Sequence, residues 1–230
     1  MKRYARAAGL ALVIMMVAGV GTASAAAKPS FDCARAKSGA EKAICGDPKL
    51  AALDVSIAQR FGKARHAYDD ATAKIFSTEQ WLFNGVRDQS YERPFNNATG
   101  AAELAERLAD RDKFLASLEL TPRNGFEGQW GNYGGQLKVV RQADGSLFAE
   151  VSAADPYNAR WLCDMSGKAE ARGDTLVVHE KDAPGWTLVL RRKGAGLVAE
   201  EARPPGDKGG DPTPSCGSGG SMDGTYFAVH

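Results

Sequence analysis

The residues with the most chemistry to offer in this chain are four cysteines: Cys33, Cys45, Cys163 and Cys216. A zinc site would need a C-x-x-C step or paired histidines beside them. The chain has neither, so the sequence implies no metal and no cofactor. In an exported protein an even count reads as disulfides. The sequence-local pairing, Cys33 with Cys45 and Cys163 with Cys216, is the expected one, because each pair falls within one compositional half of the chain.

Catalysis would need a convergent acid–base set, and the candidates are few. The histidines are His66, His179 and His230. They fall on a charged helix face, on a strand and at the last position, so each reads as a solvated or edge histidine. Asp69-Asp70 and Glu200-Glu201 are adjacent carboxylates, which point apart on a helix or a strand. Serines stand between glycines in "GSGGS" and "GSMDG", but neither stretch is G-x-S-x-G between a strand and a helix. "RGD" at 172–174 reads as a hairpin turn, and Asn97-Ala98-Thr99 is a glycosylation sequon given little weight. Trp161 and Trp186 read as core-facing strand residues, with a barrel mouth for an apolar or sugar ligand as the functional alternative. The expectation is a protein that is not an enzyme.

The elements around these residues begin with a leader. Lys2, Arg3 and Arg6 precede an apolar run from Gly9 to Val20, and Ala23, Ser24 and Ala25 fit an A-x-A cleavage site. Residues 1–25 are therefore expected to be a secretory signal peptide. The run is shorter than the roughly 20 residues a span needs. Ser30, Phe31 and Asp32 before Cys33 do not form a lipoprotein cleavage site. The expected location is periplasmic or secreted, with no membrane span after leader removal. Losing the leader's three cations moves the formal charge from +1 to −2. That balance, with no basic stripe, excludes a nucleic-acid partner.

The mature chain divides by period. A helical domain is expected over 26–120, rich in alanine and charge at helical spacing from Ser38 to about Leu120. Ser38 and Glu41 form a capping box, and Asp47-Pro48 restarts a helix after Gly46. Leu50, Leu53, Ile57, Phe61, Ala64 and Tyr68 make one apolar stripe. Trp81, Gly85, Pro94 and an Asn pair mark a looser segment, with any helix broken near Gly85 and Pro94. A last helix is expected over 101–118, then a linker at 121–125. From Phe126 to His230 the period is two, with turn signals at Asp144-Gly145, Gly173-Asp174, Pro184-Gly185 and Gly194-Ala195-Gly196. The fold class is α+β: a disulfide-stapled helical domain followed by an antiparallel β-barrel or sandwich of about eight strands. Residues 203–220 exceed the usual loop length, so they are disordered or functional.

"SFDCARAKSGAEKAICGDPKLAALD" resembles the N-terminal domain of the LprI-type lysozyme inhibitor family of bacterial envelope proteins. The matching positions are Ser30, Phe31, Asp32, Cys33, Glu41, Lys42, Ile44, Cys45, Leu50, Leu53 and Asp54. The likeness covers 30–61 and continues weakly through Gln80-Trp81-Leu82, Arg87-Asp88 and "AELAERLADRDKFLASL". In the β half, "GGQLKVV", Cys163 followed by G-x-A, and "MDGTY" look like the small barrels appended to such proteins. The resemblance implies an envelope protein that binds and inhibits lysozyme by protein–protein contact. Lysozyme works through two carboxylates in a cleft. A plug for that cleft should present a cation or hydrogen-bond donors. Lys208 and Ser218, on the loop tethered by Cys216, are the expected partner-binding residues. The alternative is a non-inhibitory envelope module, holding a small ligand in the β domain or a protein partner on the helical domain. Oligomeric state is not legible in the sequence.

Overall fold

A computed structural model of the chain describes residues 28–95, 98–207 and 213–230. The expected leader, Asn97 of the sequon and Lys208 lie outside the described residues. The chain is α+β, with a helical N-terminal part and a closed antiparallel barrel after it. No described helix is long and apolar enough to cross a membrane. Both expected disulfides are present, Cys33–Cys45 and Cys163–Cys216, which is compatible with a periplasmic or extracellular protein.

Four helices follow a single 3-10 turn at Cys33–Arg35: α1 (Gly39–Gly46), α2 (Pro48–Ala67), α3 (Asp70–Glu92) and α4 (Gly100–Ser117). Their starts are set by side chains that take orphan N–H groups. The Ser38 hydroxyl accepts from Glu41 N–H at 3.1 Å, and the Glu41 carboxylate accepts in return from Ser38 and Lys37. Asp47 caps α2, Asp69 caps α3 and Thr99 caps α4. Cys33–Cys45 joins the 3-10 turn to the last turn of α1, which is too short to be stable alone.

One expectation fails here. α3 does not break at Gly85 but runs on to Glu92, two residues before Pro94. A glycine inside a helix costs about 1 kcal/mol. Phe83 and Val86, both buried beside it, outweigh that cost by burying apolar area. Phe76 and Phe83 of α3, Leu104, Leu108 and Leu115 of α4, and Leu50, Ile57 and Ala64 of α2 form the helical core.

The barrel has eight strands paired in sequence order and closed by β1 on β8: β1 (Gly128–Gly131), β2 (Gly135–Arg141), β3 (Leu147–Ala154), β4 (Leu162–Arg172), β5 (Thr175–His179), β6 (Thr187–Lys193), β7 (Gly196–Ala202) and β8 (Gly224–Val229). Alternate residues point inward, and their side chains fill the interior, among them Trp130, Leu137, Val151, Met165, Leu188 and Tyr226. Trp161 and Trp186 are not strand core residues as expected. Trp161 is half-buried just before β4, and Trp186 precedes β6 with the Arg203 guanidinium 5.0 Å above its ring. A tryptophan at a strand end reaches the barrel rim, where an apolar face and a wet edge suit it.

The helices pack on the outside of the barrel. Tyr226 and Ala228 of β8 point inward, while Phe227 points out, stacks with Tyr68 at 6.1 Å and meets Phe76 edge-to-face at 5.0 Å. At the β6–β7 turn, Ala195 N–H donates to the Thr72 hydroxyl of α3 at 3.2 Å. Gly194 has φ +58°, and a Cβ there would sit 2.0 Å from that hydroxyl, so only glycine lets the turn approach. Residues 121–125, expected as a linker, are pinned. Arg123 pairs with Glu119 and donates to the Val229 and Gln129 carbonyls, while Arg192 donates to the Gly125 carbonyl.

Candidate functional site

In an up-and-down barrel alternate connections share an end. One end carries β1–β2, β3–β4, β5–β6 and the long β7–β8 connection; it is called the loop end below. The Cys163–Cys216 bond ties the long connection to β4 there. Asp164 N–H donates to Ser215 O and Gly217 N–H to Leu162 O, both at 2.8 Å, so Ser215–Gly217 lies along β4 as a short added strand. The Ser215 hydroxyl donates to Glu180 Oε2 at 2.5 Å. Gly220 N–H then closes a turn on Gly217 O, leaving Ser218 exposed at its tip. Gly220 must be small: a Cβ would meet the Trp161 ring and Cys163 Sγ, each at 3.0 Å.

The chain returns to β8 through buried Met222, whose N–H donates to Glu201 Oε1 at 2.7 Å. Burial pushes the Glu201 carboxyl above its ordinary range, and the Asp223 carboxylate adds to that. The described parts of the expected loop are thus docked on the barrel. Ser218 stands at its surface, and nothing in the structure bears on Lys208.

Beside this added strand a groove of about 940 Å³ crosses the outer face of β1–β4, walled by α4 and the β5–β6 connection. Its charged lining is Asp110, Glu150, Asp164, Glu180 and Asp182, against Lys113, Lys138 and His230. Among the described residues none of these five carboxylates is held in a salt bridge. The groove therefore presents net negative charge to solvent. Such a surface attracts a cationic partner and favours its encounter.

The three histidines stay apart. His66 is exposed on α2, His179 Nε2 lies 3.7 Å from Glu170, and His230 Nδ1 lies 3.4 Å from Glu119. Glu200 pairs with Arg191 outside the barrel while Glu201 turns to Met222, so those adjacent carboxylates do point apart. Asp69 is spent as a helix cap, and hydrogen bonds from Thr72 hold its carboxyl below the usual range. "RGD" forms the β4–β5 turn, with Gly173 at φ +63°.

Most residues that carry the family resemblance have structural work. Cys33 and Cys45 are bonded, Glu41 caps, Ile44 and Leu50 are core, and Asp54 accepts from Ser30 N–H at 2.6 Å. Trp81 differs, because 70% of it is exposed on α3.

Sequence reading missed a buried charge cluster at the heart of the helices. Arg111 of α4 forks onto Glu79 of α3 with bonds of 2.8 and 2.5 Å, and it also donates to Gln80 Oε1. Its guanidinium lies 4.9 Å from the Phe83 ring centre and 5.1 Å from that of Phe114. It also missed Arg107 of α4, which holds the β3–β4 connection through the Pro156 and Tyr157 carbonyls. Comparison of the chain with family models, with curated proteins and with solved structures finds no match.

Proposed function

We propose that this chain is an exported envelope protein that binds lysozyme and blocks it by contact, using the Gly217–Gly220 turn and the acidic groove beside it. The observation that carries the reading is the Cys163–Cys216 bond, which holds an exposed turn against β4 at the border of that groove. A turn already fixed loses little conformational entropy on binding. Ser218 offers a hydroxyl donor to one of the cleft carboxylates through which lysozyme acts. Lys208, on the same connection, would supply the cation. The groove's carboxylates suit the basic surface flanking such a cleft. The resemblance of residues 30–61 to lysozyme inhibitors supports the same partner.

The test is lysozyme turnover with purified mature protein, beside Lys208→Ala and Ser218→Ala. The reading predicts slowing at micromolar protein that weakens in both variants and with rising salt. No slowing removes the function; slowing untouched by both substitutions removes the site.

A second reading, a non-inhibitory module that binds a protein partner on its helices, draws on exposed Trp81. It predicts that Trp81→Ala loses a partner recovered by pull-down from envelope extract while lysozyme turnover is indifferent to the wild-type protein.

A further inference from the structure

A second cavity lies at the loop end, between α3 and the barrel. Its volume is about 430 Å³, within the range of small-molecule sites. Ile75 and Leu82 of α3 form one wall, and Tyr133, Pro156 and Trp161 of the barrel connections form the other. The walls are held by fixed contacts. Arg107 grips Pro156 and Tyr157, and the Cys163–Cys216 turn packs behind Trp161.

Some of the polar groups here are spent. The Thr78 hydroxyl donates to Lys74 O in its own helix, and the Tyr226 hydroxyl donates to Met222 O at 3.0 Å. Asn132 Oδ1 accepts from Gly134 N–H. The Tyr133 and Thr225 hydroxyls and the Trp161 indole N–H remain to meet a ligand, so the selection among head groups falls to charge. The charges are one-sided. Glu79 and Asp223 line the cleft, and no lysine, arginine or histidine does among the described residues. Both Glu79 oxygens are taken by Arg111. Asp223 Oδ1 accepts from Glu201 N–H at 2.7 Å, and its carboxylate, exposed at the rim, forms no salt bridge among the described residues.

We infer that this cleft binds a small cationic amphiphile, an alkyl or aryl ammonium whose apolar part lies between Leu82 and Trp161 and whose charge meets Asp223. An anionic amphiphile finds no cation there, and a neutral glycoside leaves the Asp223 charge unanswered. The cleft opens apart from the groove proposed for lysozyme, although the Gly217–Gly220 turn backs its Trp161 wall, and its test reads neither lysozyme nor Ser218. Because its two walls belong to the helices and to the barrel, an occupant also bridges the two parts.

The test uses the mature protein with its disulfides intact. Decyltrimethylammonium, decyl sulfate and decyl maltoside, each below its micelle-forming concentration, are titrated by calorimetry and by tryptophan fluorescence. Saturable one-to-one binding of the ammonium is expected, about threefold to fivefold tighter than either competitor, as an exposed charge pair allows. The octyl ammonium should bind roughly fourfold more weakly per methylene removed. Asp223→Asn should erase the preference among heads. Thr78→Phe, at an exposed helix position, should fill the cleft and weaken all three while leaving the circular dichroism unchanged. Equal affinity for the three heads, a preference for the sulfate or the glycoside, no saturable binding, or wild-type affinity in Thr78→Phe would each overturn the inference.

Discussion

Replacing Arg111 by alanine isolates the largest single energetic commitment in the helical part. Glu79 is 6% exposed and the Arg111 side chain is 1% exposed. The substitution leaves a carboxylate sealed from water with its forked partner gone, and it strips a guanidinium from between two rings. Breaking a buried pair from one side costs about 3–5 kcal/mol. Part of the ring contact, roughly 1 kcal/mol, overlaps with that figure. A total of about 4 kcal/mol, with a urea slope of about 2 kcal/mol per molar, moves the unfolding midpoint down by about 2 M. The double variant Glu79→Leu/Arg111→Met removes both charges and keeps apolar volume, so it should recover most of that loss, or all of it. Urea titrations followed by circular dichroism and tryptophan fluorescence measure both. A single variant that loses less than about 1 kcal/mol, or a double variant as unstable as the single, would refute the argument that the stranded charge dominates.

Opening Cys163–Cys216 with serines should cost about 4 kcal/mol, and opening Cys33–Cys45 about 3 kcal/mol, as the loop lengths of 53 and 12 residues require on the chain-entropy account; urea midpoints under non-reducing conditions read both. Phe227→Ala, which empties the contact with Tyr68 and Phe76, should cost about 3–5 kcal/mol by the same titration. The acid limb should show two carboxylates of opposite sign. Backbone N–H bonds from Lys37 and Ser38 lower the Glu41 pKa from 4.5, so its stabilisation is present above that value and is lost as pH falls through the lowered folded value. The wild-type advantage over Glu41→Ala should therefore shrink in acid. Burial raises the Glu201 pKa above 4.5, so its charge destabilises increasingly as pH rises from 4.5 through the raised folded value. Glu201→Gln, which keeps the acceptor for Met222 N–H, should be more stable than wild type at neutral pH and indistinguishable from it below pH 4.5.

The helix starts were legible because capping is local: Ser38 with Glu41, and Asp47 before Pro48, need only a few neighbouring residues. Barrel alternation was legible in β2 and β3 for the same reason. β1 carries little of that signal, because "GQWG" has a single apolar side chain, and so does β7, because "GLVAEEA" ends in helix-forming residues. Only pairing with neighbours makes them strands. Phe227 was hidden because a period of two assigns it to solvent; the helices bury the outer face of β8 as well. The Glu79–Arg111 pair did leave a trace. Phe76, Glu79, Phe83 and Val86 form one stripe, and Leu104, Leu108, Arg111 and Leu115 another, each with one charge of opposite sign. Charges standing on apolar stripes of adjoining helices mark a buried pair. Of the proposed binding face, Ser218 and the tether could be read from "PSCGSGGS", but the groove joins β1–β4, α4 and the β5–β6 connection and exists only once the barrel closes.

The central claim is that a turn locked by Cys163–Cys216 recognises lysozyme. Calorimetric titration of lysozyme into the wild-type protein, into Cys163→Ser/Cys216→Ser and into Cys33→Ser/Cys45→Ser puts it to the test. The account predicts micromolar or tighter binding by the wild type, a loss of at least about tenfold on freeing the turn, and little change on opening the helical disulfide. Failure of the wild type to bind, or equal affinity after Cys163–Cys216 is removed, would contradict it.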